Sequence, residues 1–236
     1  MNDTSDTCRV HAIRSGTSHA YLLTGGRGAI LIDTGSGTDI DRFGDQLAAA
    51  GIRLQDISLL ILTHAHYDHV ALAAEIREHA NCRILAHDAA APFLKQGHTP
   101  FPHGTGIVSR AISSAGTGFF SAKGDFTAFS PDITISRRTV LEEYGLPVTV
   151  LPTPGHTADS LSVLTSAGDA FVGDTCFHVF PWTVIPPFAD DPAALALTWE
   201  ALLAEDVTTF HPGHGSPFGR DLLERSLPAL RRKAGR

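Results

Sequence analysis

The sequence predicts an α+β fold in which two β-sheets face each other and helices pack outside them. Three observations lead there. Short apolar runs of strand length occur in both halves of the chain, segments with helix caps separate them, and several strands run directly into short motifs rich in histidine and aspartate. With 236 residues, 43% of them hydrophobic and 18% charged, the chain can bury a full core. We read residues 1–236 as one domain with an insertion at about 97–130.

The first strands are Tyr21 to Thr24 and Gly28 to Asp33, the latter closed by the turn Thr34-Gly35-Ser36-Gly37. A helix follows over about Thr38 to Ala50, with Gly51 closing it. Ile57 to Leu62 is a continuous apolar run that stops at Thr63, and Val70 to His79 has helical character. Cys82 to Ala86 reads as a strand and Asp88 to Gln96 as a short helix. From Gly97 to about Ser130 the chain turns to Gly, Pro, Ser, Thr and Phe without a sustained period, which fits either an insertion over the site or a poorly ordered segment.

The second half repeats the strand pattern at Val148–Leu151, Leu161–Leu164 and Ala170–Val172. A Pro- and aromatic-rich loop, Phe177 to Phe188, leads to a helix starting near Asp190 or Asp191, with Pro192 suited to its first turn and Trp199, Leu202 and Leu203 on its apolar face. Val207 to Phe210 is a last short strand, and Asp221 to Arg232 a closing helix. No tandem repeat is visible.

Composition narrows the function classes. The net charge of −7 and a single basic cluster, Arg231-Arg232-Lys233 with Arg236, argue against a nucleic-acid surface. No apolar run approaches the ~20 residues that span a bilayer, and the first residues lack the pattern of a signal peptide, so a cytoplasmic protein with no membrane partner is expected. Three cysteines, odd in number and without metal-type spacing, argue against a disulfide framework; Cys82 reads as a buried thiol.

The chemistry lies in an ordered set of motifs. His64-x-His66-x-Asp68-His69 follows the Ile57–Leu62 strand; His156 lies in Pro154-Gly155-His156-Thr157, Asp174 in Gly173-Asp174-Thr175, and His214 in His211-Pro212-Gly213-His214-Gly215. Imidazole nitrogens and carboxylate oxygens suit zinc and similar cations. His64 and His66, two apart on an extended segment, point the same way, while Asp68 and His69 turn toward a neighbouring point as a helix starts. The partition that follows gives one metal His64, His66 and His156, a second Asp68, His69 and His214, and makes Asp174 the bridge. A shared water becomes hydroxide near neutral pH, and the assembled site carries a charge of about +1, suited to a developing oxyanion. A lone histidine is more often structural than a ligand; the ordered set of seven is what carries the reading.

These motifs resemble those of the metallo-β-lactamase superfamily, from the Ile32-Asp33-Thr34-Gly35 turn to Gly215. The resemblance implies a four-layer αββα sandwich with the metals at one edge of the sheets, two Zn2+ (with one or two Fe or Mn as the alternative), and a role for Asp33 in organising the loop of the first motif. It also implies Asp68 and Asp174 as the catalytic carboxylates. Two-zinc β-lactamases of the family carry a cysteine in place of Asp174 or lack that bridge, and flavodiiron relatives carry a glutamate where His66 stands. Glyoxalase II enzymes share all seven ligands but append a helical domain. The implied activity is hydrolysis of a small-molecule ester, lactone or thioester. A mononuclear-iron persulfide dioxygenase and a phosphodiesterase are the alternatives.

Substrate contacts are expected from Tyr67, inside the first motif, and from His178, Phe180 and Trp182, in the loop after Asp174, where Phe177, Ile185 and Phe188 add apolar surface. The same side chains would also serve to cover the core or to form a homodimer contact. His211 is expected to support the His214 loop, Cys176 to be inert, and His98 and His103 to lie where the insertion can close over the site.

Overall fold

The computed structural model describes residues 8–25, 28–100, 104–105 and 124–235. Two six-stranded sheets form the centre. The first runs in sequence order through β1 (Arg9–Ser15), β2 (Ser18–Gly25), β3 (Gly28–Ile32), β4 (Ile57–Ile61), β5 (Arg83–His87) and β6 (Ile133–Ile135). It is antiparallel from β1 to β3 and parallel from β3 to β6. The second comprises β7 (Thr139–Leu141), β8 (Val148–Pro152), β9 (Leu161–Thr165), β10 (Asp169–His178), β11 (Thr209–Gly215) and β12 (Phe218–Gly219), with β10 and β11 its parallel pair. Helices α1 (Ile40–Ala49), α2 (Tyr67–Val70), α3 (Ala73–Ala80) and α4 (Ala91–Gln96) follow strands of the first sheet, and α5 (Pro192–Ala204) and α6 (Arg220–Ala234) belong to the second.

Side-chain alternation along the strands builds three apolar layers. Leu23, Ile30, Ile32, Leu59, Ile61 and Leu85 meet Val148, Val150, Leu161, Val163 and Phe171 between the sheets. Their neighbours Leu22, Leu31, Leu60 and Ile84 point the other way, onto Phe43, Leu47, Ile76 and Leu94. Ala170, Val172 and Phe210 cover Leu195, Trp199, Leu202, Leu223 and Leu230. Strands buried on both faces read as unbroken apolar runs, which is why Gly28–Ile32 and Ile57–Ile61 stand out in the sequence. The result is the αββα sandwich expected. Among the described residues no helix is long and apolar enough to cross a membrane.

The structure differs from the sequence reading in several places. The Val70–His79 helix is two helices, α2 and α3, and α2 already begins at Tyr67. β1, β6, β7 and β12 were not expected; all four are edge strands, and β6, β7 and β12 are only two or three residues long, so alternation has little room to show. β10 continues to His178, so Asp174 lies within a strand and the following loop starts later than Phe177. The pairing of β10 with β11 shifts register between Phe171 and Gly173 and again between Gly173 and Phe177. A bulge of this kind re-aims a side chain, and here it presents Asp174 at the strand's edge of pairing. Most of the 97–130 segment, His103 included, lies outside the described residues.

α5 shows how local chemistry fixes an element. Asp191 caps it by accepting from the Ala193 and Ala194 N–H groups, both at 2.9 Å, and Pro192 occupies its first turn. Its Trp199 is wholly buried and donates its indole N–H to the Thr175 carbonyl at 2.8 Å, one residue beyond Asp174. Trp199→Ala is expected to cost about 3–5 kcal/mol in urea unfolding, whereas Leu197→Ala on the exposed side of the same helix changes stability by about 0.5 kcal/mol or less. Equal effects would contradict this packing.

Candidate metal centre

Loops and strand ends bring the seven motif residues together at one edge of the sandwich. His64 and His66 lie on the loop after β4, Asp68 and His69 in α2, His156 between β8 and β9, Asp174 in β10 and His214 in β11. They form three groups whose ligand atoms lie within 4.8 Å of one another: His64, His66 and His156; His64, His69 and Asp174; and Asp68, His69 and His214.

In the first group, His66 Nδ1 is 2.9 Å from His64 Nε2 and 3.1 Å from His156 Nε2. With Zn–N bonds of about 2.0–2.1 Å, tetrahedral ligand nitrogens stand about 3.3 Å apart, so these atoms already sit at nearly ligand spacing. In the Asp68–His69–His214 group, His214 Nε2 is 3.1 Å from Asp68 Oδ2. Asp174 faces both: Oδ1 lies 3.4 Å from His69 Nε2, and Oδ2 lies 3.5 Å from His214 Nε2 and 3.8 Å from His156 Nε2.

Outer hydrogen bonds decide which nitrogen of each ring carries the proton. His156 Nδ1–H donates to the Phe188 carbonyl at 2.9 Å, His214 Nδ1–H to the Thr17 carbonyl at 3.0 Å, and His69 Nδ1–H to Asp33 Oδ2 at 2.8 Å. The Thr63 hydroxyl donates to Asp33 Oδ2 at 2.7 Å, which leaves its oxygen to accept from His64 Nδ1–H at 3.1 Å. Four Nε2 lone pairs are thereby turned inward, the arrangement that metal-binding imidazoles need. His69 Nε2 and Asp174 Oδ1 are buried without a hydrogen-bond partner. Buried polar atoms of that kind are costly, and a cation between them satisfies both. The donor set therefore fits divalent metal.

Several residues outside the motifs hold this geometry. Asp33, at φ +58°, accepts from Thr63 N–H at 2.7 Å as well as from the Thr63 hydroxyl and His69. That left-handed backbone is strained for a non-glycine residue, and the three bonds offset it. The Thr34 amide and hydroxyl both donate to the His69 carbonyl, and Ser18 Oγ donates to that of Asp68. Tyr21, on β2, donates to the Pro212 carbonyl at 2.7 Å and so ties the first sheet to the His214 loop. Gly213 has no room for a side chain: a Cβ there would stand 2.4 Å from His69 Cε1 and 2.8 Å from Asp174 Oδ1. Thr63, Tyr21, Ser18 and Thr17 were not expected from sequence, because their partners lie far away along the chain.

Burial lowers the pKa of His64 well below its usual value, with His69, His66 and His156 adding to the effect. Burial, and then His156, brings His66 down to about 4. Burial also opposes charge on His69 and Asp174, yet Asp174 and Asp33 hold His69 well above the imidazole range, and His214 and His69 hold Asp174 well below the carboxylate range. A cation between His69 and Asp174 would take the place of a proton on the imidazole.

Around the rim, Phe177 lies with its ring 4.9 Å from that of His214. Tyr67 is partly exposed at the start of α2, its hydroxyl pKa raised by burial and then by Asp68. His178 follows on the other face of β10: it bonds the Ser216 carbonyl at 2.8 Å and packs edge-on against Phe218, so its ring is committed away from Phe177 and the cluster. Phe180 and Trp182 stack on each other and remain 53% and 73% exposed, so they do not cover the core. His211 bonds Asp169 at 2.7 Å and stacks on Phe171, behind the His214 loop. Cys176 is buried, its thiol pKa pushed well up by burial and then by Asp174. His98 pairs with Asp125 at 2.7 Å at the base of the 97–130 segment.

Two outcomes follow. Stability of the metal-free protein should fall as pH drops from 6.5 toward 4, because the unfolded chain binds more protons there than buried neutral His66 does. The slope is on the order of 1.4 kcal/mol per pH unit for each such histidine. Urea unfolding across that range checks it, and His66→Gln should flatten the profile; an unchanged slope would count against buried neutral imidazoles. Gly213→Ala should weaken metal uptake at the Asp68–His69–His214 group by about 10-fold or more in chelator competition, because it displaces a ligand.

Comparison with known proteins agrees with this geometry. The sequence model of the metallo-β-lactamase superfamily matches residues 13–214. A probable metallo-hydrolase of Methanocaldococcus jannaschii is 32% identical over 165 residues, covering 68% of each chain. A hydroxyacylglutathione hydrolase of a Bradyrhizobium strain is 31% identical over 135 residues, which are 57% of this chain and 38% of that protein. A subclass B3 metallo-β-lactamase of Bradyrhizobium japonicum shares the fold with a TM-score of 0.70 at 18% identity, over 95% of this chain and 89% of the other. With a matching family model over most of its length and the motif residues gathered at the sheet edge, the chain belongs to the metallo-β-lactamase superfamily of metal-dependent hydrolases.

Proposed function

We propose that the protein is a dinuclear zinc hydrolase that cleaves an ester, lactone or thioester of a small molecule. The observation that carries this reading is the placement of Asp174 between two ligand groups, one oxygen toward His69 and the other toward His156 and His214. A single carboxylate shared in this way suits a pair of cations. Five imidazoles and two carboxylates form a donor set that zinc accepts readily. Divalent cations held there would draw the pKa of water toward neutrality and polarise a carbonyl oxygen.

The chain's own groups supply the rest. Asp174 is the more enclosed carboxylate and lies between the two groups; Asp68 is more open, its Oδ2 3.1 Å from His214 Nε2. Asp68 is thus placed to take the proton released by an attacking water and pass it to the leaving group. Phe177 shields His214 from solvent on one side. Tyr67, Phe180 and Trp182 offer surface for an apolar substrate portion, whereas His178 is engaged elsewhere. Thioesters are favoured as a first class to try by the similarity to a hydroxyacylglutathione hydrolase.

The test is turnover by zinc-loaded protein on a panel of thioesters, lactones and aryl esters. Activity on at least one class is expected, with kcat/KM falling by about 10²-fold or more in Asp174→Ala and Asp68→Ala. Full turnover by Asp174→Ala would overturn the scheme. Oxygen consumption with a glutathione persulfide, or preference for bis-nitrophenyl phosphate, would replace it with an oxidoreductase or a phosphodiesterase.

A further inference from the structure

The two ligand groups share the Asp33–Thr63 link, but the three-histidine group has further supports of its own, and these come from distant parts of the chain. For His64 and His66 to face one point, the chain between them must be extended, which turns the Ala65 peptide into the protein interior. β4 has ended at Ile61, so no strand ladder serves Ala65. Both its polar groups are met by side chains instead. Asp159 Oδ2 accepts the Ala65 N–H at 2.9 Å, and Thr99 Oγ1 donates to the Ala65 carbonyl. Asp159 and Thr99 are themselves buried.

The third histidine is held in a parallel way. His156 Nδ1–H donates to the carbonyl of Phe188, which follows Pro186 and Pro187. Two successive prolines have no N–H to offer, so this stretch cannot order itself by a backbone ladder. Thr105 orders it from outside: its N–H donates to the Pro187 carbonyl at 2.9 Å, and its buried hydroxyl lies 2.7 Å and 2.9 Å from the Pro186 and Pro187 carbonyls. Gly104 pairs with Phe188 itself. By contrast, the Asp68–His69–His214 group is held by Thr17, Ser18, Asp33 and Thr34.

We propose that Thr99, Thr105 and Asp159 are positioning residues that set the metal affinity and geometry of the His64–His66–His156 group without acting on the Asp68–His69–His214 group. The inference rests on the metal-centre reading above. It assigns the described ends of the 97–130 segment a function: Thr99 and Thr105 carry the two ligand loops of one metal.

Cobalt titration of metal-free protein tests it, with visible absorption and chelator competition as readouts. Wild-type protein is expected to take up two equivalents. Thr99→Val and Thr105→Val should weaken binding at the three-histidine group by about 10- to 100-fold and alter its absorption bands, and Thr99→Ser should restore both. In a His156→Ala background, where only the other group is intact, Thr99→Val should leave cobalt affinity unchanged. Unaltered affinity and spectrum in folded Thr99→Val and Thr105→Val proteins, or equal weakening of both groups, would overturn the proposal. Should Thr99→Val fail to fold, Thr105→Val and Asp159→Asn decide by the same readouts. A wild-type protein that takes up no cobalt would overturn the metal-centre reading itself, and the brace with it.

Discussion

The carboxylate of Asp33 holds three donors at once, and the candidate site depends on that grip. One oxygen takes the Thr63 N–H; the other takes the Thr63 hydroxyl and the His69 ring. The end of β3, the end of β4 and the start of the following helix are thereby fixed relative to one another. Because the Thr63 hydroxyl is spent on Asp33, its oxygen is left for His64, and one buried carboxylate orients two imidazoles. Such outer partners tune ligand basicity and direction as much as the ligands' own positions do. The left-handed backbone at Asp33 is the strain the site stores in return.

The two sheets then divide the work. The first contributes the His64–His69 motif and the Asp33 turn, and the second contributes His156, Asp174 and His214. Their buried faces lock together through aliphatic side chains, and the Tyr21 hydroxyl carries the contact to the His214 loop. The close approach of Gly213 to His69 and Asp174 lets the second sheet's loop reach the first sheet's helix. Sheet packing therefore sets the spacing of the candidate ligands: whatever moves the sheets apart separates them.

Much of this was legible in the sequence, and what was not has physical reasons. The ligand set and the doubly buried strands stand out because their residue types and runs are local signals. Asp174 was expected at a strand's end and lies inside β10, since a bulge leaves no mark in residue type. His178 follows Asp174 closely in sequence, but the alternation of β10 after the bulge sends its ring to Ser216 and Phe218. The short strands β6, β7 and β12 are too brief for a period to be read. Thr99, Thr105, Asp159 and Tyr21 were invisible as site residues, because each is paired with a backbone group tens of residues away and backbone groups carry no sequence identity. The 97–130 segment, ambiguous as sequence, shows a connection to the site in the bonds of its described residues Thr99 and Thr105.

The central proposal is that two divalent cations occupy the cluster with Asp174 between them. Metal content of the protein, purified without added metal and measured by plasma mass spectrometry, addresses that claim most directly. About two zincs per chain is the result the geometry predicts. A single iron, or no bound metal at all, would contradict it.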